Sequence, residues 1–160
     1  MRNKYNQKGF TLLEIIAALI LVGIIGATLG MGITQIINGF VFSKKNAETA
    51  RKAQLAMIRL VKELKSANIL NTPSPPAAAS ITFSGDAIYT VSWSAGNPLT
   101  MNSDTLTDNV NKFELTYYDS YNSSAAAYSA STTLIGITLE LKGADDMILI
   151  FEDRVFVKKP

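Results

Sequence analysis

Apolar residues run almost unbroken from Phe10 to Ile37, and Glu14 is the only charged residue between Gly9 and Ser43. That length exceeds the roughly 20 apolar residues needed to cross a bilayer. It is too long for the apolar core of a secretory signal, which spans about 7 to 15 residues. The pattern predicts a retained membrane helix over residues 10–37. Helical periodicity then continues in water-compatible form: Ala50, Ala53, Met57, Leu60, Leu64 and Ala67 recur at steps of three and four. The opposite side carries Arg51, Lys52, Arg59, Lys62, Glu63 and Lys65, so an amphipathic outer half-helix is expected over 44–69. Its apolar stripe needs a core to face.

The segment 71–80, with three prolines, reads as a linker, because proline lacks a backbone donor and restricts the residue before it. From 81 to 160 the period shortens to two. "ITF" and "AIYTVSW", separated by Ser84, Gly85 and Asp86, have hairpin composition, and "NPLTM" is a weaker strand. "KFELTYYD" sets Phe113, Leu115 and Tyr117 against Glu114, Thr116 and Tyr118. "TTLIGITLELK" and "MILIFEDRVFV", joined by "GADD", form the clearest hairpin. A strand face of this kind requires cover, and the outer half-helix can provide it. The predicted fold class is α+β: one long N-terminal helix packed on a C-terminal antiparallel β-sheet, within an extracytoplasmic head spanning 38–160.

Composition narrows the chemistry. The chain of 160 residues has neither cysteine nor histidine, which excludes Ser-His-Asp and Cys-His nucleophile systems and zinc sites built on those ligands. No other spacing suggests catalysis, and an enzyme is not expected. No cofactor or metal site is predicted. Asp145 and Asp146 could coordinate calcium in principle, but adjacent turn carboxylates are ordinarily just solvated. Glu152 and Asp153 interrupt the last strand pattern, which a bulge or an ion pair would explain. Tyr117, Tyr118 and Tyr121 are assigned to sheet packing rather than to a contact surface.

Charge is unevenly distributed. Residues 44–65 hold seven basic side chains against Glu48 and Glu63, whereas the chain from Ser66 onward holds five basic and ten acidic ones. A solvated helix face explains this, and so does a basic stripe that meets anionic lipid heads at Lys44 and Lys45 or the acidic head of a neighbouring subunit. Arg2, Lys4 and Lys8 precede the apolar run, and a positive flank stays cytoplasmic. An inner-membrane protein with a single pass and its head outside the cytoplasm is expected.

Five glycines, Gly23, Gly26, Gly30, Gly32 and Gly39, interrupt the apolar half. Each costs about 1 kcal/mol against alanine in an exposed helix, so this half is a candidate for bending or partial unwinding. Gly26 and Gly30 form a small-xxx-small pair suited to close helix packing. Gly23, Gly26 and Gly30 are therefore candidate flexibility and packing positions.

The sequence "KGFTLLEII", with a short basic leader before it and an apolar helix after it, closely resembles the class III signal of type IV prepilins and type II secretion pseudopilins. The resemblance is specific over about the first 35 residues and architectural beyond. It implies that residues 1–9 are a leader, that a prepilin peptidase cuts between Gly9 and Phe10, and that Phe10 becomes the N-methylated first residue. It further implies that Glu14 pairs with the amino terminus of an adjacent subunit during assembly. The partners implied are the peptidase, other pilin or pseudopilin subunits, an inner-membrane assembly platform and, before assembly, the lipid bilayer. Removing Arg2, Lys4 and Lys8 would take the fifteen basic residues below the thirteen acidic ones, so no nucleic-acid partner is expected.

Thr11 and Glu14 also fit an S/T-x-x-E capping box, a structural role compatible with the first. Many major pilins carry a C-terminal cysteine pair and a proline within the membrane segment; this chain has neither. "LTDNVNKFELTYYD" followed by a terminal hairpin loosely resembles W-type minor pilins and J-type minor pseudopilins, so a minor subunit is expected. The alternative is a membrane-anchored binding protein, such as a tip adhesin or DNA-uptake component.

Overall fold

A computed structural model of the chain describes residues 9–66, 68–69, 80–84, 87–129 and 131–157. The leader positions 1–8, the linker positions 71–79, Ala67 and the Gly85–Asp86 part of the first turn lie outside the described residues. Two compact units divide the chain after Val41.

The first unit contains the start of α1 (Leu12–Lys65). Helix runs through Gly23, Gly26, Gly30, Gly32 and Gly39 without a break, so the softness that the glycine content predicts is not expressed as an unwound turn. Two hydroxyls that would otherwise burden an apolar helix are satisfied locally. Thr28 donates to the carbonyls of Ile24 (3.1 Å) and Ile25 (2.9 Å), and Thr34 to those of Gly30 (3.2 Å) and Met31 (2.9 Å).

The second unit begins with the outer part of α1, which buries Ala53, Ala56, Met57, Leu60 and Leu64. Ala56 extends the stripe expected from sequence. The helix ends at Lys65, short of residue 69, and Asn68–Ile69 form a two-residue strand, β1, instead. This strand pairs with β2 (Ser80–Ser84). β3 (Ile88–Ser92), β4 (Leu99–Met101) and β5 (Asp104–Thr107) complete an antiparallel meander in the order β1-β2-β3-β4-β5. β6 (Val110–Tyr118), β7 (Leu134–Lys142) and β8 (Ile148–Phe156) form a separate sheet in the order β6-β7-β8. The single sheet expected from sequence is thus two. Alternation reports which face of a strand is buried and says nothing about which strands are neighbours.

Turn chemistry explains the connections. Asn102 (φ 52°) and Ser103 (φ 73°) link β4 to β5, and Asp145 (φ 52°) and Asp146 (φ 56°) link β7 to β8. Paired left-handed residues make the type I′ geometry that matches strand twist, and Asn and Asp tolerate it better than most side chains. Asn102 does more. Its Oδ1 accepts from the Thr90 amide (2.7 Å) and its Nδ2 donates to the Ile88 carbonyl (3.2 Å), so a side chain prolongs the short β3–β4 ladder. At the other turn, Asn46 on α1 accepts from the Ala144 amide (2.8 Å), and its Nδ2 lies 3.7 Å from the Met147 sulfur. A Cβ at Gly143 would run into the same Asn46 oxygen, so a side chain at 143 would dislodge this tie between helix and hairpin.

The core of the second unit joins the buried helix stripe to Ile81, Phe83, Val91, Leu99 and Met101 of the first sheet and to Phe113, Leu115, Ile135, Ile137, Leu139 and Leu141 of the second. Tyr117 belongs to it and packs edge-on against Tyr128 at 5.3 Å between centroids. Its hydroxyl is buried without a hydrogen-bond partner among the described residues, and burial pushes its pKa above the usual tyrosine value. Above about pH 10 the unfolded chain would release this proton while the native chain keeps it, so the Tyr117 contribution to stability falls as pH rises. Tyr117→Phe should raise stability by about 1 kcal/mol at neutral pH by removing an unsatisfied hydroxyl. It should also flatten the decline in melting temperature above pH 10, checked by thermal melts of the full chain in detergent across that range.

Candidate processing and assembly site

Gly9 and Phe10 precede the helix in non-helical, exposed backbone, with open space around the Gly9 Cα. Thr11 is the N-cap. Its Oγ1 accepts from the Glu14 amide (3.3 Å), and its carbonyl accepts from the amides of Glu14 (3.1 Å) and Ile15 (3.3 Å). One half of the capping box is therefore formed. The Glu14 carboxylate makes no hydrogen bond or ion pair among the described residues and is exposed. A carboxylate one turn into a helix is favoured by the macrodipole. In an apolar surround it still needs a counter-charge, and this one remains available to a group outside the chain.

The surface around it is apolar. Side chains from Phe10 to Val41 are exposed throughout, Phe10 by 79% and Ile36 by 73%, and α1 is long and apolar enough to cross a membrane. No water-filled environment tolerates so large a contiguous patch, which marks a lipid- or protein-facing surface. Gly23, Gly26 and Gly30 have nothing within 4 Å of where a Cβ would stand. They leave a notch on the helix that a neighbouring backbone can approach.

Other positions singled out in the sequence lie in the second unit. Asp145 and Asp146 are exposed turn residues, and no group of three metal-ligating carboxylates occurs among the described residues. Glu152 and Asp153 sit neither at a bulge nor in an ion pair. The β7–β8 register is continuous from Leu134↔Phe156 to Lys142↔Ile148, and neither carboxylate forms an ion pair among the described residues; Asp153 Oδ1 accepts from the Arg154 amide instead (2.7 Å). Among the described residues β8 pairs only with β7, and an edge strand can carry solvated charge. Tyr118 and Tyr121 flank Arg154, whose guanidinium lies 4.6 Å and 5.9 Å from their ring centres. Gly136 opposite Arg154 makes room: a Cβ there would strike Thr116 Oγ1 and come within 3.2 Å of Tyr118. Of the seven basic residues in the outer helix, Lys52 is bound, its Nζ 3.0 Å from Asp108, and that contact raises its pKa.

Residues 4–30 match the family model described as the prokaryotic N-terminal methylation motif. The match covers the Gly9–Phe10 junction, Glu14 and the three glycines of the notch, and leaves the second unit outside it. No curated protein and no solved structure gives a significant match to the chain. The chain thus carries a prepilin-like class III signal at the head of its apolar helix.

Proposed function

We propose that this chain is a structural subunit of a type IV pilus or type II secretion pseudopilus, used as a minor rather than a bulk component. It is inserted in the inner membrane with its head outside the cytoplasm. A prepilin peptidase cuts it between Gly9 and Phe10, Phe10 is N-methylated, and an assembly platform packs its apolar helix among those of other subunits. Glu14 meets the new amino terminus of a neighbour. Cleavage has to come first, because it creates the amine that the carboxylate pairs with. The role is assembly, not catalysis.

The observation that carries this reading is the meeting, at one helix end, of the methylation motif with an exposed carboxylate that no described residue pairs with. A charge in low dielectric is tolerable when paired, and the pair fixes the axial register of one helix on the next. The absence of cysteine supports a minor subunit over a disulfide-looped major one.

The test is intact mass and N-terminal analysis of the membrane-extracted chain made with a prepilin peptidase. A mature chain beginning at methylated Phe10 is expected. A chain that keeps Met1 in the presence of an active peptidase would reduce the protein to an ordinary anchored domain.

A further inference from the structure

Burial separates the two faces of the second sheet. Phe113, Leu115 and Tyr117 of β6, Ile135, Ile137, Leu139 and Leu141 of β7, and Val155 of β8 enter the core, so the residues alternating with them form the opposite face. The register sets that face in rows across the three strands: Glu114, Thr138 and Glu152, then Thr116, Gly136 and Arg154, then Tyr118, Leu134 and Phe156. Because Gly136 has no side chain, Thr116 Oγ1 and the Tyr118 ring settle into the space a Cβ would need. A hollow of about 550 Å³ opens there, lined by Thr116, Tyr118, Tyr121, Thr138, Glu152 and Arg154.

Two other carboxylates of this face already have partners, Glu114 in Lys112 and Glu140 in Asn111. The groups at the hollow do not. The Glu152 carboxylate and the Thr116 and Thr138 hydroxyls make no hydrogen bond or ion pair among the described residues. The Arg154 guanidinium lies against the rings of Tyr118 and Tyr121 and otherwise makes only a long 3.5 Å contact with the Tyr121 carbonyl. Tyr121 is 66% exposed, which leaves ring surface for an incoming group. The hollow thus gathers a donor fork, a carboxylate acceptor, two hydroxyls that can donate or accept, and an aromatic surface.

We propose that this hollow binds an acidic saccharide: Arg154 takes the carboxylate of a uronic acid residue, Glu152, Thr116 and Thr138 take its hydroxyls, and Tyr121 covers its C–H face. The chemistry selects this class. An apolar ligand would leave every polar group of the hollow unpaired. A phosphate would suit the guanidinium but would meet Glu152 as a like charge. A sugar acid matches the guanidinium with a planar carboxylate, which arginine binds bidentately, and offers Glu152 hydroxyls rather than another charge. The site belongs to the head alone and stands apart from the assembly reading, since cleaved and uncleaved chain carry it equally.

The test uses the full chain in lipid nanodiscs, titrated with a galacturonic acid tetrasaccharide, its methyl ester and inorganic phosphate while binding is followed by surface plasmon resonance. Saturable binding of the acid form is expected, with affinity at least about tenfold lower for the methyl ester, which keeps the shape and loses the charge. Arg154→Gln should lower affinity for the acid form by about tenfold or more, and Arg154→Lys should recover only part of it, because an ammonium has no fork. Tyr121→Phe should bind normally and Tyr121→Ala several-fold more weakly. Arg59→Gln, a basic residue of α1 outside the hollow, should change nothing. Glu152→Gln should weaken binding, whereas at a plain anion site the loss of a neighbouring negative charge would tighten it. No binding of the acid form, equal binding of the methyl ester, an Arg154→Gln effect no larger than that of Arg59→Gln, tighter binding by Glu152→Gln, or displacement of the tetrasaccharide by an equal concentration of phosphate would each overturn the assignment.

Discussion

Glu14→Ala should be cleaved and methylated normally and yet fail to enter filaments. The peptidase acts at Gly9–Phe10, which lies in non-helical, exposed backbone ahead of the helix, and truncation at Glu14 leaves that junction untouched. What changes is the partner offered to the next subunit. Without the carboxylate, a neighbour's positive amine is buried unpaired against apolar side chains, and breaking such a pair costs about 3 to 5 kcal/mol, equivalent to at least a hundredfold loss of incorporation. Thr11→Ala separates this from capping. It removes the 3.3 Å bond from the Glu14 amide and should cost the helix only about 1 kcal/mol, leaving incorporation close to normal. Quantifying mature chain in sheared filaments against mature chain in membranes distinguishes the two. Equal losses for both variants would return Glu14 to the role of a cap.

Leu60→Ala should be the most damaging conservative truncation in the head. Leu60 is 1% exposed at the centre of the helix stripe, where it meets the core built from both sheets. Removing it forfeits transfer energy and leaves a cavity that packed strands cannot fill, a cost of about 2 to 5 kcal/mol. Ile58→Ala, two residues earlier and exposed, should change stability by about 0.5 kcal/mol or less under conditions that keep the chain monomeric. Trp93 is the only tryptophan and packs against the core, so its fluorescence during urea unfolding of the detergent-solubilised chain reports both variants. A Leu60→Ala effect no larger than that of Ile58→Ala would mean that the helix stripe does not hold the head together.

The processing signal was legible in the sequence because it is written in adjacent residues and needs no tertiary context. The faces of the long strands were legible too: Phe113, Leu115 and Tyr117, and Ile135, Ile137, Leu139 and Leu141, are buried as their alternation predicts. What failed depends on neighbours. β1 has two residues and β5 four, mostly polar, too few for any periodicity to register. The separation into two sheets is invisible because a strand's own pattern does not name its partner. Glu152 and Asp153 looked like an interruption of β8, since sequence cannot show that β8 is an edge strand where charge is tolerated. A groove between the outer part of α1 and β8 was out of reach for the same reason. It exists only where residues 54–62 and 151–153 come together.

The tie between Asn46 and the β7–β8 turn has a mechanical consequence. Among the described residues, Asn46 is the earliest position on α1 whose side chain is hydrogen-bonded to a strand-bearing part of the chain. A pull along the helix would therefore load the Asn46–Ala144 contact before it reaches the buried stripe from Ala53 to Leu64. One hydrogen bond yields easily, whereas the stripe behind it must shear as a unit. The head is thus built to give slightly at its near end under tension while its far end holds.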